Sequence, residues 1–321
     1  MVEKSTRRRD SARAIVLPRL ARLVRVAPLP LLVAGRRQIG WLLGRVPGLR
    51  RRVGEAMTAA LGRGGYTAQH VDAYFDHLAD LVVFSAAAFR SGIHSIGLER
   101  YWWDGATALM RPYHEALEQG RGALMIGPHL IGHELVTGAS TAELPITVLV
   151  RRSARSEYEA LKTRWYAALG VEVVHRPRRG ADDGGLAEMT AAVRVLRKNR
   201  ILALTPDLLR RPGTGVTVRL FDREAELPAG AFFLAVRTGA PLLCSFFWEE
   251  GGRYWARTDR MEITLTGDRD PDVAAVAQEW TTRFERFIRA HPDMWLFWLD
   301  KRWRRWLLQR ETSGAARRDE R

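Results

Sequence analysis

Residues Gly122–Ser140, "GALMIGPHLIGHELVTGAS", set the reading of the whole chain. Ala123 to Ile126 form an apolar run too short for a helix and without a polar alternate position, as a strand buried on both faces requires. Gly127 and Pro128 end it. A helical pattern opens near Gly132, with Glu134 in its first turn, where a carboxylate suits the helix dipole. His129 falls between the two, just past the carboxyl end of the strand.

The alternation continues downstream. "PITVLV", "VEVV" and "ILALT" read as strands, separated by the helices "EYEALKTRWYAALG" and "GLAEMTAAVRVLRKN". Apolar strands alternating with helices predict an α/β fold, a central and mostly parallel sheet flanked by helices on both faces. "VTVRLF", "PLLCSFFW" and "RYWARTDRMEITL" add strands, and "DVAAVAQEWTTRFERFIRAH" a late helix. Upstream, "AQHVDAYFDHLADLVVFSAAAF" and "LERYWWDGATALMRPYHEALEQG" read as helices. Cys244 lies in an apolar run and is expected to pack in a strand as a small hydrophobe, and a lone thiol forms no intrachain disulfide.

Lys plus Arg number 51 against 36 Asp plus Glu among 321 residues, a formal charge of +15, which draws the protein to anionic partners. Arginine in company with much alanine and glycine also follows from codon usage, so distribution informs more than the total. Arg19, Arg22 and Arg25 share one helical face and Leu17, Leu20 and Val24 another, a basic amphipathic element suited to an anionic membrane surface. The longest clean apolar stretch there, Ala27 to Gly35, is well short of the roughly 20 residues of a spanning helix. The expected division is a membrane-associating segment over 1–52, a catalytic domain over 53–308 and a polar tail over 309–321. Trp295, Trp298, Trp303 and Trp306, set among arginines, suggest a second membrane contact, with part of the group in the core.

Reactive groups of open α/β sheets gather beyond the carboxyl ends of strands, where His129 stands. Glu134, five residues on, is placed to hydrogen-bond one ring nitrogen and leave the other basic. His133 followed by Glu134 does not complete His-Glu-x-x-His, and a zinc site on His129, His133 and Glu134 lacks a further ligand at a recognisable spacing. A metal-dependent hydrolase on those three residues stays an alternative, as does a basic module that binds nucleic acid without catalysis, although no nucleic-acid motif is present and no nucleic acid partner is expected. No G-x-S-x-G elbow occurs.

His129-x4-Glu134 after Gly-Pro, Arg151 with Tyr158 seven residues on, Asp207 in "ALTPDLLRRPG", the block "VTVRLFDREAELPAGAFFLAVRTGAPLLCSFFW" and "WLDKRWR" at Trp298–Arg304 follow one another in order. Together they resemble the bacterial lipid A biosynthesis lauroyl/myristoyl acyltransferase family, which also contains phosphatidylinositol mannoside acyltransferases. The resemblance runs from about residue 15 to 305. The chain departs from the family pattern at Val150, Arg152, Ile131, His133 and Asp300, which points away from lipid A itself as the acceptor.

That resemblance implies a glycerolipid acyltransferase-like fold with N-terminal membrane-associating helices, peripheral or monotopic on the cytoplasmic face of a bacterial inner membrane. It implies transfer of a fatty acyl group from a thioester of acyl carrier protein or coenzyme A to a hydroxyl of a lipid or glycolipid, with no cofactor and no metal. His129 would be the general base and Glu134 its orienting acid. Arg151 would stabilise negative charge or bind phosphate, with Tyr158 nearby in the motif. Asp207 would hold a second basic group or the acceptor, or cap a loop. Arg176 and Arg178 would receive a phosphate, with a solvated loop as the plainer alternative.

Overall fold

The computed structural model describes residues 27–97, 106–151, 156–176, 184–251 and 253–309. Its centre is a six-stranded sheet in the order β3-β2-β4-β1-β7-β8. The strands are β1 (Ala123–Ile126), β2 (Ile146–Arg151), β3 (Glu172–Arg176), β4 (Ile201–Leu204), β7 (Leu242–Glu250) and β8 (Arg253–Met261). All neighbours pair in parallel except β7 and β8, which form an antiparallel hairpin at one edge. Helices flank the sheet, and the β–α alternation of the sequence is realised with the expected parallel sheet.

Among the described residues the helices are α1 (Leu29–Ala34), α2 (Arg36–Gly44), α3 (Leu49–Leu61), α4 (Ala68–Ser91), α5 (Ala106–Leu117), α6 (His133–Ser140), α7 (Ser156–Ala168), α8 (Gly184–Arg197), α9 (Gly230–Thr238), α10 (Arg269–Ala290) and α11 (Lys301–Leu308). Leu124, Ile126, Leu202, Leu243 and Cys244 are fully buried, which is why β1, β4 and the first three residues of β7 are apolar. The expected placement of Cys244 inside a strand holds, and burial pushes its thiol well above the ordinary range.

"VTVRLF" forms a strand as expected, but outside the central sheet: β5 (Val216–Leu220) makes a separate antiparallel hairpin with β6 (Arg223–Leu227), an element not anticipated. The turn between them is Phe221-Asp222, both at positive φ (50° and 61°), the geometry of a two-residue hairpin turn. Because glycine or asparagine usually marks that turn, Phe-Asp gave no signal.

The tryptophans, expected as a second membrane contact with part of the group in the core, fall mainly on the core side of that expectation. Trp295 and Trp298 are fully buried and Trp303 is 1 % exposed, and the indole N–H of each has an internal acceptor. They belong to the core, and the polar tip of each indole is satisfied there rather than by a membrane interface.

At the other end, Ala27, Leu32 and Ile39 pack with Ala79 and Val83 of α4 as a small satellite core. The proposed boundary after residue 52 falls inside α3. The amphipathic stripe of Arg19, Arg22 and Arg25 and the tail from residue 310 lie outside the described residues, and no described helix is long and apolar enough to cross a membrane.

Candidate active site

Sheet register explains which residues meet. β1 and β4 are parallel neighbours with Ile126 opposite Leu204, so residues three beyond each, His129 and Asp207, leave the sheet edge at the same height. The two strands have connections running to opposite sides, toward β2 from β1 and toward β7 from β4, which opens a crevice above their carboxyl ends.

Here the structure places a histidine–carboxylate pair. His129 Nδ1 lies 2.5 Å from Asp207 Oδ1, and the His129 backbone N–H donates to Oδ2 at 2.9 Å. Trp295 Nε1 donates to the same Oδ2 at 3.0 Å, and Trp303 Nε1 to the Asp207 carbonyl at 3.0 Å. Asp207 is completely buried. Burial works against its ionisation, but the charge and hydrogen bond of His129, with the further donors, hold it below the ordinary carboxylate range. Burial likewise works against protonation of His129, yet the Asp207 charge and hydrogen bond prevail and raise the imidazole above its ordinary value, with the Glu134 charge adding to the effect.

A carboxylate on Nδ1 keeps the proton there and leaves Nε2 as the basic nitrogen. Nε2 is 3.2 Å from Thr205 Oγ1. Behind the ring stands His133, whose Nδ1 meets the Leu130 carbonyl at 3.0 Å and whose ring centroid is 5.0 Å from that of His129. Burial first, and then the neighbouring His129, lower its affinity for a proton.

The expected partnership of His129 with Glu134 is therefore corrected. Glu134 occupies the first turn of α6 as predicted, after Gly132 at φ 90°. Its carboxylate instead accepts from Trp165 Nε1 at 2.7 Å and from Tyr166 hydroxyl at 3.0 Å, both on α7. The helix turns the Glu134 side chain toward α7, while sheet register delivers Asp207 to the imidazole. Asp207 holds the catalytic candidate itself, a role the sequence reading did not give it.

His129, Glu134 and Thr205 line a cavity of about 1540 Å³. Its walls are largely apolar, including Met125, Val148, Met189, Leu234 and Phe247, and Arg210, Arg211, Arg302 and Arg305 also line it. The first two follow Asp207 within four residues, and the others flank Trp303. Neither pair was anticipated as a site group, although "LLRRPG" and "KRWRR" stood in motifs already singled out.

Arg151 ends β2 and is in register with Arg176 at the end of β3, so both stand at the carboxyl edge of the sheet. Arg178 lies outside the described residues. Tyr158, on α7, is 54 % exposed and does not line the cavity. Among the described residues no group of three or more His, Cys, Asp or Glu side chains is gathered as a metal shell.

An α/β sheet with a His–Asp pair at its carboxyl edge, opening on a large and mostly apolar cavity, has the form of a site that can admit a ligand with apolar surface. The family model described as bacterial lipid A biosynthesis acyltransferase matches residues 110–305, and the chain belongs to that family. Similar curated proteins include the phosphatidylinositol mannoside acyltransferase of Mycobacterium tuberculosis, 34 % identical over 187 residues covering 56 % of this chain and 54 % of that protein. The protein of the same name from Mycolicibacterium smegmatis is 30 % identical over 187 residues, 56 % of each chain. The chain thus spans about half the length of the curated relatives it matches.

Proposed function

We propose that this protein transfers a fatty acyl group from a thioester to a hydroxyl of a lipid or glycolipid acceptor, with His129 as general base. The observation that carries the reading is the placement of His129: Nδ1 tied to buried Asp207 and the ring lining a large apolar cavity. His129 Nε2 takes the proton of the acceptor hydroxyl as the oxygen attacks the thioester carbonyl carbon. The carbon–sulfur bond then breaks, and the imidazolium returns the proton to the departing thiolate. Asp207 holds the imidazole in the required tautomer and stabilises its cationic form. The thioester, of coenzyme A or acyl carrier protein, is consumed as a substrate, so the reaction needs no cofactor.

The apolar walls suit an acyl chain, and the four arginines at the same cavity suit an anionic head group. The names of the relatives favour a phosphatidylinositol mannoside as acceptor. Leu31, Trp41 and Leu42 are each more than half exposed on α1 and α2, beside Arg37 and Arg45, and this favours peripheral attachment to an anionic bilayer; use of an acyl-coenzyme A or acyl carrier protein thioester would place it on the cytoplasmic face.

The test is release of free thiol from palmitoyl-coenzyme A by purified protein, with and without phosphatidylinositol mannoside in mixed micelles. Acceptor-dependent thiol release with an acylated product, lost in His129→Ala, is the expected result. Thiol release that ignores the acceptor and yields only free fatty acid would replace transfer by hydrolysis, and full turnover in His129→Ala would reject the base.

A further inference from the structure

Between α10 and α11 the chain runs as a strap, residues 291–300, with one short turn of 3₁₀ helix at Leu296–Leu299. Beyond the single bridge of Leu130 with Trp295 it has no strand partner among the described residues, and a few specific bonds set its course there. On its upper side it touches both members of the site. Trp295 Nε1 donates to Asp207 Oδ2 at 3.0 Å, Leu296 N–H to the His129 carbonyl at 3.0 Å, and the Phe297 ring lies 4.5 Å from the His129 ring. The Met294 carbonyl accepts from Ile131 N–H at 2.8 Å.

The lower side of the same strap is held by α4. Tyr74 hydroxyl donates to the Leu296 carbonyl at 3.0 Å, and His77 Nε2 is 2.8 Å from Asp293 Oδ2. Leu296 thus binds His129 through its N–H and Tyr74 through its carbonyl. His77 is braced in turn: Nδ1 is 3.1 Å from Tyr254 hydroxyl on β8, which donates to Asp80 at 3.1 Å. Tyr74 is fully buried and His77 is 4 % exposed, and neither they nor Asp293 line the cavity.

We propose that Tyr74 and His77 are positioning residues for the His129–Asp207 pair and act through the strap at 293–297. Irregular backbone keeps a fixed position only where its polar groups are paired. Were these two anchors absent, Leu296 and Trp295 would gain freedom, and with them the His129 carbonyl and the Asp207 oxygen that orients the ring. A small displacement at a reacting nitrogen is felt in turnover far more than in substrate binding, because the substrate touches neither anchor.

The proposal rests on His129 being the base, so its first readout does not depend on the reaction. The proton between His129 Nδ1 and Asp207 should give a far-downfield ¹H resonance, identified by its disappearance in His129→Asn. In Tyr74→Phe, which removes one hydroxyl, and in His77→Gln, that resonance is expected to shift upfield or broaden, as is also expected in Trp295→Phe. In the thioester assay kcat should fall about ten- to a hundredfold with KM within about twofold, and Trp295→Phe combined with His77→Gln should be no worse than Trp295→Phe alone. An unaltered resonance in both folded variants overturns the proposal, as does unchanged kcat beside a lowered Tm, or losses that multiply in the double variant. A perturbed resonance in a protein that never transfers acyl groups supports the positioning role and sinks only the acyl-transfer reading.

Discussion

Asp207→Asn separates the two carboxylates near His129. The Asp207 oxygen Oδ2 accepts two hydrogen bonds, from His129 N–H and Trp295 Nε1, while Oδ1 faces His129 Nδ1 alone. An asparagine keeps both donors satisfied by placing its carbonyl oxygen at the Oδ2 position. Its NH₂ group then points at His129 Nδ1, which has to become the acceptor, and the ring proton moves to Nε2. The fold retains all three bonds, but the nitrogen that should be basic is blocked. The expected loss in kcat is about 10³–10⁴-fold, roughly 4–5.5 kcal/mol of transition-state stabilisation.

Glu134→Gln differs, since its two acceptors face Trp165 and a tyrosine hydroxyl able to reverse its donor role. Only the more distant charge on the imidazolium is lost, for an expected decrease of about tenfold or less. Steady-state thiol release measured for both variants, with circular dichroism to verify folding, gives the ranking. A Glu134→Gln loss larger than that of Asp207→Asn, or more than a tenth of wild-type activity in Asp207→Asn, would refute the assignment of Asp207 as the orienting acid.

Other outcomes follow from the same geometry. Because Asp207 raises the proton affinity of His129 and the base must be neutral, the acid limb of kcat/KM should lie above the ordinary histidine value of about 6.5 and move down when the Asp207 charge is removed. The half-buried His133, whose proton affinity is lowered, contributes stability that is present above about pH 6.5 and lost as pH falls through its folded value; chemical denaturation across that range should show a shallower loss in His133→Asn. A Cβ at Gly127 would stand 2.8 Å from the Ser245 carbonyl on the neighbouring β7, so Gly127→Ala should push β1 from β7 and lower stability by about 1–3 kcal/mol, read as a fall in Tm. Replacing Trp41 and Leu42 by serine should weaken sedimentation with anionic vesicles without changing Tm by more than a degree or two, since both side chains are more than half exposed; unaltered vesicle binding would count against the α1–α2 face.

The run from Gly122 to Ser140 was legible because its signals are local. Apolar strand, Gly-Pro stop, a helical pattern opening near Gly132, and a histidine at the strand end all lie within one short stretch, and the alternation after it dictates a parallel sheet. Cys244 was legible for the same reason. The β5–β6 hairpin was not, since Phe221-Asp222 adopts a turn that its residue types do not advertise. Which of the terminal tryptophans belong to the core was not legible, because composition cannot tell an indole at a membrane surface from one whose N–H finds a carbonyl or carboxylate inside the fold.

His129, Glu134 and Asp207 were each singled out in the sequence, but their pairing was not. Spacing along the chain favoured Glu134, five positions from His129, over Asp207, separated from it by 78. Proximity in sequence fixes only which face of a helix a side chain occupies, and that face carries Glu134 to Trp165 and Tyr166. The partner of the imidazole was decided by the tertiary structure, because parallel pairing of β1 with β4 brings two distant strand ends to the same level and buries the carboxylate where, among the described residues, His129 and the Trp295 indole satisfy it.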